Sequence, residues 1–317
     1  MASKEKIQDA GIRTYSYYAH AFCLYPETLH DLKEAQNALP DFQAIQRIAQ
    51  ATEDLKRHLH RGFLTLQYIK VIPVDEMPEI GMAAALWIPV QVYYAVHGFG
   101  LVALAAISKG GKLPGEHGEF LRETEKNLVR RLLPDPFVAR LKDGFNRCGF
   151  MDFNKDNLLG LKLDCDPDDW PCHLELPNRE TRIPHIARCL SMTRERELKE
   201  KFKRKRGKIN RKRAKKGKRG KNLSRMEKVT IAIAPDTGHT TVFDYLYRIR
   251  LQSNYQNPRM FDLGSEHKDI VIDFVKNNQK MASRLCYLLL RVIERGLNDG
   301  DCTKLINEWK NRIKWEA

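Results

Sequence analysis

Apolar residues recur along most of this chain at the three- and four-residue spacing of a helix with one buried face. Between residues 41 and 72 they are Ile45, Ile48, Leu55, Leu59, Phe63, Leu66 and Ile69, with Glu53, Asp54, Lys56 and Arg57 on the other side. That pattern predicts one long amphipathic helix. Residues 79–107 are apolar on almost every side, which predicts a helix at the centre of a bundle. Pro89 predicts that a new helix starts there or that the existing one kinks. Residues 269–296 place Ile270, Val271, Phe274, Met281, Leu285, Leu288, Leu289 and Ile293 at helical spacing, and Gly296 stands where a helix-ending glycine is expected. Shorter helices are predicted over 120–137, 240–255 and 303–313. An N-terminal helix carrying Tyr15, Tyr17, Tyr18, Phe22 and Tyr25 docks on the body, punctuated by Pro26 and Pro40. Residues 158–163 and 229–234 read as short strands, and 109–118 and 164–184 as loops. The fold class is mainly α, a helical bundle with a few short strands and no internal repeat.

Charge divides this picture. The chain of 317 residues carries 55 Lys and Arg against 40 Asp and Glu, a net +15. The segment 194–228 holds 19 of the basic and 4 of the acidic residues, leaving 36 of each sign elsewhere. The expected organisation is therefore a neutral helical body, residues 1–190 and 229–317, with a polybasic insertion at 191–228. The insertion opens on the helix-forming run RERELKEKFKRKR, then loses hydrophobicity and gains Gly207, Gly217 and Gly220, so its second half is expected to be mobile when free. Such a density of cations suits contact with many backbone phosphates. The candidates are Arg204, Lys205, Arg206, Lys208, Arg211, Lys212, Arg213, Lys215, Lys216, Lys218 and Arg219. Polybasic runs also dock on acidic proteins and anionic membranes. Nucleic acid, RNA or DNA, is the partner this concentration of charge favours.

Seven cysteines at irregular spacing and a polar, charged N-terminus fit reduced thiols in a cytoplasmic protein. Cys165, Cys172 and His173 do not match the short paired spacing of common zinc sites; their loop-rich context leaves zinc open, and buried reduced thiols are the simpler account. The acidic cluster Asp164, Asp166, Asp168 and Asp169 reads as loop, and no resident metal or cofactor is expected. Residues 80–107 are broken by Pro89, Gln91, His97 and three glycines, so a buried core helix explains them better than a membrane span. Lys109-Gly110-Gly111-Lys112 lacks the phosphate-loop pattern. His97, inside Tyr93-Tyr94-Ala95-Val96-His97-Gly98, reads as a core histidine, while Gly98 and Gly100 allow another helix to approach closely.

The stretch Tyr247-Arg248-Ile249-Arg250-Leu251-Gln252-Ser253-Asn254-Tyr255 sets polar groups into an otherwise amphipathic helix. Arg250 and Asn254 are four apart and share a face, so Arg248, Arg250 and Asn254 are expected to line a cleft that grips a phosphate. The pair of helices over 45–107 that carries Tyr-Tyr-Ala-Val-His, followed over 240–296 by Arg-x-Arg-x-x-x-Asn-Tyr and a long final helix, resembles the HEPN superfamily of helical bundles in prokaryotic toxins, defence systems and RNases. That resemblance implies an Arg followed by four to six spacers and a His, the Arg holding a scissile phosphate and the His serving acid–base cleavage of RNA without metal. Arg250 matches the Arg, but Tyr255, Gln256 and Asn257 occupy the window where the His belongs. A phenol is a poor base at neutral pH. The resemblance also implies a homodimer or a partner subunit. The expected function is nucleic-acid binding in a prokaryotic defence or mobile-element system; the alternatives are a metal-independent RNase using Arg248, Arg250, Asn254 and Tyr255, with Arg250 and Tyr255 as its catalytic candidates, and a structural adaptor subunit.

Overall fold

A computed structural model describes residues 12, 15, 16, 18–23, 28–46, 51–108, 113–141, 158, 159, 182–217, 238–256, 268–298 and 300–313. It is a mainly α-helical bundle. Its elements in chain order are α1 (Leu29–Asn37), α2 (Glu53–Lys70), α3 (Pro78–Ala85), α4 (Ile88–Ile107), α5 (His117–Thr124), α6 (Arg182–Lys215), α7 (Val242–Leu251), α8 (Lys268–Gly296) and α9 (Gly300–Arg312). Two-residue strands β1 (Arg140–Leu141) and β2 (Leu158–Leu159) pair antiparallel.

α4 is the central rod, packed chiefly against α8 and α2. Sixteen of its twenty residues are buried, so protein rather than lipid covers this apolar helix, although it is long enough to cross a membrane. Pro89 lies in its first turn, where a missing N–H costs nothing, and separates it from α3. Gly98 lets α2 approach: a Cβ there would stand 3.1 Å from the His58 carbonyl oxygen and 3.3 Å from the Gly62 Cα. Gly296 serves close packing rather than capping. It belongs to α8, has no left-handed φ, and a Cβ on it would lie 2.5 Å from the Ala106 carbonyl oxygen.

The remaining helices close around this core. Trp309 of α9 stacks on Phe63 of α2 with centroids 5.5 Å apart. α1 is pinned by Gln36, whose Nε2 donates to the carbonyls of Leu132 and Leu288 at 2.9 and 3.2 Å. At the N-terminus, Tyr15, Tyr18 and Phe22 gather around Tyr245 of α7.

The helix predicted over 41–72 starts later. Thr52 caps α2 by accepting from the Leu55 N–H, and Glu53 and Asp54 follow in the first turn. Ile45 is therefore outside it, after a short helical turn at Pro40–Gln43. α5 runs on through a π-helical turn, Glu125–Val129, and ends at Leu132. The strand expected at 229–234 and most of the loop at 164–184 lie outside the described residues, as do Cys165, Cys172 and His173. The described cysteines, Cys23, Cys189, Cys286 and Cys302, are buried thiols outside any disulfide.

Candidate nucleic-acid interface

Two surfaces bear on function. The first is the cationic end of α6. This helix begins at Arg182 and passes residue 191 without a break, so the polybasic run continues a helix of the body. Ile186, Leu190, Leu198 and Phe202 are buried at four-residue intervals, one row along a helix. Arg194 falls in the same row; it is buried and its Nη1 donates to the Gly238 carbonyl at 2.6 Å and to Thr240 Oγ1 at 3.4 Å. The four-residue row is the signal that a reading dominated by charge overlooks.

Beyond Phe202 the apolar row ends, yet the helix runs on through Gly207 to Lys215. Alternating Lys and Arg are good helix formers, and Gly207 costs only about 1 kcal/mol relative to Ala. Gly217, with φ +67°, follows the helix in the left-handed conformation that ends many helices. Lys203, Arg204, Arg206, Lys208, Arg211, Lys212, Lys215 and Lys216 are exposed, Lys205 is half-buried and Arg213 is buried. No acidic residue interrupts 201–216. Lys218 and Arg219 lie outside the described residues.

The second surface is where α4, α5 and α7 meet. The expected cleft of Arg248, Arg250 and Asn254 does not form. Residues two apart point about 200° apart around a helix. Arg248 accordingly turns toward α6, where its Nη1 lies 2.7 Å from Glu200 Oε1, while Arg250 turns toward α4. Asn254 is separated from Arg250 by a change of helix: residues Gln252–Gln256 form a π-helical turn, whose wider winding breaks the four-residue alignment. Tyr255 lies in this turn; its side chain is outside the described part of the structure. Ser253 Oγ donates to the Leu86 carbonyl and fastens the turn to the start of α4.

Arg250 is 6% exposed. Its Nη1 donates to the Tyr94 hydroxyl at 2.8 Å, and its guanidinium carbon lies 4.9, 5.3 and 5.0 Å from the ring centres of Tyr93, Tyr94 and Tyr247. Its Nε is buried without a partner, and no carboxylate among the described residues pairs with it. Phenol faces stabilise a guanidinium but do not neutralise it. Two histidines complete the cluster. The Tyr93 hydroxyl and His117 Nδ1 are hydrogen-bonded at 2.6 Å, and the His97 and His117 rings lie 5.1 Å apart. His97 also packs on Phe120 at 4.4 Å.

Burial, reinforced by His117, His58 and Arg250, pushes His97 down to about 3. Burial first, then Arg250, also lowers His117. Both imidazoles are neutral at physiological pH, and burial holds the Tyr93 phenol protonated. The sequence window after Arg250 has no histidine, yet the fold supplies two, from helices more than 100 residues earlier. Nothing local in the sequence marks His117 as a member of this cluster. Among the described residues, no three His, Cys, Asp or Glu side chains converge to hold a metal ion.

Comparison with protein-family models, curated proteins and solved structures gives no match to this chain, so the functional reading rests on this geometry.

Proposed function

We propose that this chain is a nucleic-acid-binding, HEPN-like protein of a prokaryotic defence or mobile-element system. The observation that carries this reading is the exposed helical surface from Lys203 to Lys215, unbroken by any acid, on a body whose charges otherwise balance. A regular helix holds its cations at fixed spacing, so a backbone meets them with less ordering cost than a free tail would impose. Arg250 adds a buried positive charge that no carboxylate among the described residues matches, a seat for one phosphate.

Removing 194–228 is a poor test, because Arg194, Leu198 and Phe202 belong to the core. Replacing Lys208, Arg211, Lys212 and Lys215 with Gln leaves the buried row intact. This variant is expected to bind a labelled RNA or DNA more weakly and with a shallower salt dependence. For every phosphate that the variant no longer neutralises, the slope of log K against log salt shrinks by roughly 0.7 (single strand) to 0.9 (duplex). Unchanged affinity and slope would refute the reading.

The His97–His117 pair beside Arg250 favours a second reading, a metal-independent endoribonuclease. An anionic phosphate on Arg250 would raise both imidazoles toward the range useful for proton transfer. RNA cleavage that persists in EDTA and disappears in both Arg250→Ala and His117→Ala would support it. Intact RNA under all conditions would leave binding alone.

A further inference from the structure

We infer that the surface beside Arg250 accepts unpaired nucleotides, with the exposed rings of Trp87 and Tyr94 stacking on bases while the guanidinium takes a phosphate. This rests on the nucleic-acid reading above and adds what that reading leaves open, the form of strand the body accepts.

Trp87 and Tyr94 are 53% and 43% exposed, large apolar areas to leave in water. They are seven residues apart, two helical turns, and so lie on the same face of the chain entering α4. The Tyr94 ring is held from below, and the main chain beside Trp87 is anchored. The Tyr94 hydroxyl accepts from buried Arg250, which directs the phenol inward and leaves ring carbon as its exposed part. Beside Trp87, the Leu86 carbonyl accepts from Ser253, which ties this end of α4 to the turn following Arg250. Two aromatic platforms on one face, next to a cation whose charge no carboxylate among the described residues neutralises, are the combination by which proteins grip single strands. Because the neighbouring imidazoles are uncharged, the cluster offers one positive charge and fits one phosphate.

This surface is selective in a way the cationic helix is not. Lys and Arg on α6 meet phosphates of any strand. The bases of a duplex are already stacked on each other and cannot reach Trp87 or Tyr94 without being pulled out. An aromatic surface can also bury itself against protein, but the unneutralised guanidinium directly behind Tyr94 favours an anionic occupant over an apolar one.

The test is fluorescence anisotropy of the full chain with a labelled RNA strand about 20 nucleotides long, its DNA equivalent, and the duplex of each. Single strands of RNA, DNA or both are expected to bind several-fold tighter than their duplexes. Trp87→Ala and Tyr94→Ala should each weaken single-strand binding roughly tenfold and leave duplex binding within about twofold. Tyr94→Phe, which keeps the ring, should stay within about threefold of wild type. Equal affinity for both forms, unaltered by these substitutions, would overturn the inference while leaving the cationic helix as the binding surface. Loss of a dimer in sedimentation without loss of strand affinity would reassign the aromatics to a protein interface. No binding to any strand would remove this inference and the reading beneath it together.

Discussion

His97 and Asp244 belong to packed neighbours, α4 and α7, and respond to acid in opposite senses. His97 is held neutral in the fold, its pKa pushed from about 6.5 down to about 3 mainly by burial. Its contribution to stability is complete above about pH 6.5 and declines as pH falls toward 3, because the unfolded imidazole takes a proton that the folded one refuses. Asp244 is raised to about 7, by burial first and by Glu197 next. Its contribution is complete below about pH 3.8 and is lost as pH rises through 7. The two oppose each other between pH 4 and 6, so the wild-type profile conceals both. His97→Gln separates them. The stability difference between wild type and variant should narrow on acidification from pH 6 to 4, at a slope of up to about 1.4 kcal/mol per unit for one proton. Parallel urea-denaturation profiles across that range would show that His97 titrates normally in the fold. Arg250 is legible as a candidate from its polar place in an amphipathic helix. Its companions are not, because Tyr94 and His117 reach it only through tertiary packing.

At the scale of helices, α6 shows how one element serves two purposes. Its first part is an ordinary core helix and its last part a cationic rod, and Glu200 stands near the change. Glu200 Oε1 lies 2.7 Å from Arg248 Nη1 and joins α6 to α7. The side chain of Arg248 is 12% exposed and its Nε already lacks a partner, so removing the carboxylate leaves a largely buried charge uncompensated. Glu200→Gln should destabilise the protein by about 1–3 kcal/mol, less than a fully buried pair because Glu200 is itself partly solvated. Amide exchange should quicken along 196–206 before it does in α4 or α8. Uniform exchange along α6 in wild type and variant would refute a clamp at this position. The same helix explains what periodicity reveals and conceals. α4 and α8 are readable because apolar residues dominate their buried faces. In α6, charges flank Leu198 and Phe202 on every side, and the row that includes Ile186, Leu190 and Arg194 emerges only on a four-residue count. The start of α2 escapes periodicity for the opposite reason: Ile45 and Ile48 extend the apolar rhythm, while a single hydroxyl on Thr52 sets the boundary.

For the whole molecule, the separation of charge sets folding and binding against each other in salt. The body holds 36 charges of each sign and contributes little net field, so repulsion is concentrated in 194–228. Residues 203–216 span roughly 20 Å of helix at 1.5 Å per residue, so each of their cations lies within a Debye length of several others at about 0.1 M salt. Like charges at three- and four-residue spacing oppose the helix that carries them by a few tenths of a kcal/mol per pair. Added salt screens that repulsion and also weakens attraction to phosphate. Raising salt from about 0.02 to 0.5 M should therefore raise the Tm of the free protein while lowering its affinity for nucleic acid. In the variant with Gln at 208, 211, 212 and 215, both responses should shrink together, since both arise from the same side chains. Calorimetry and binding measured over one salt series would check this. A Tm rise of equal size in wild type and variant would place the repulsion elsewhere in the body, and the cationic rod would then be neutral in folding while active only in binding.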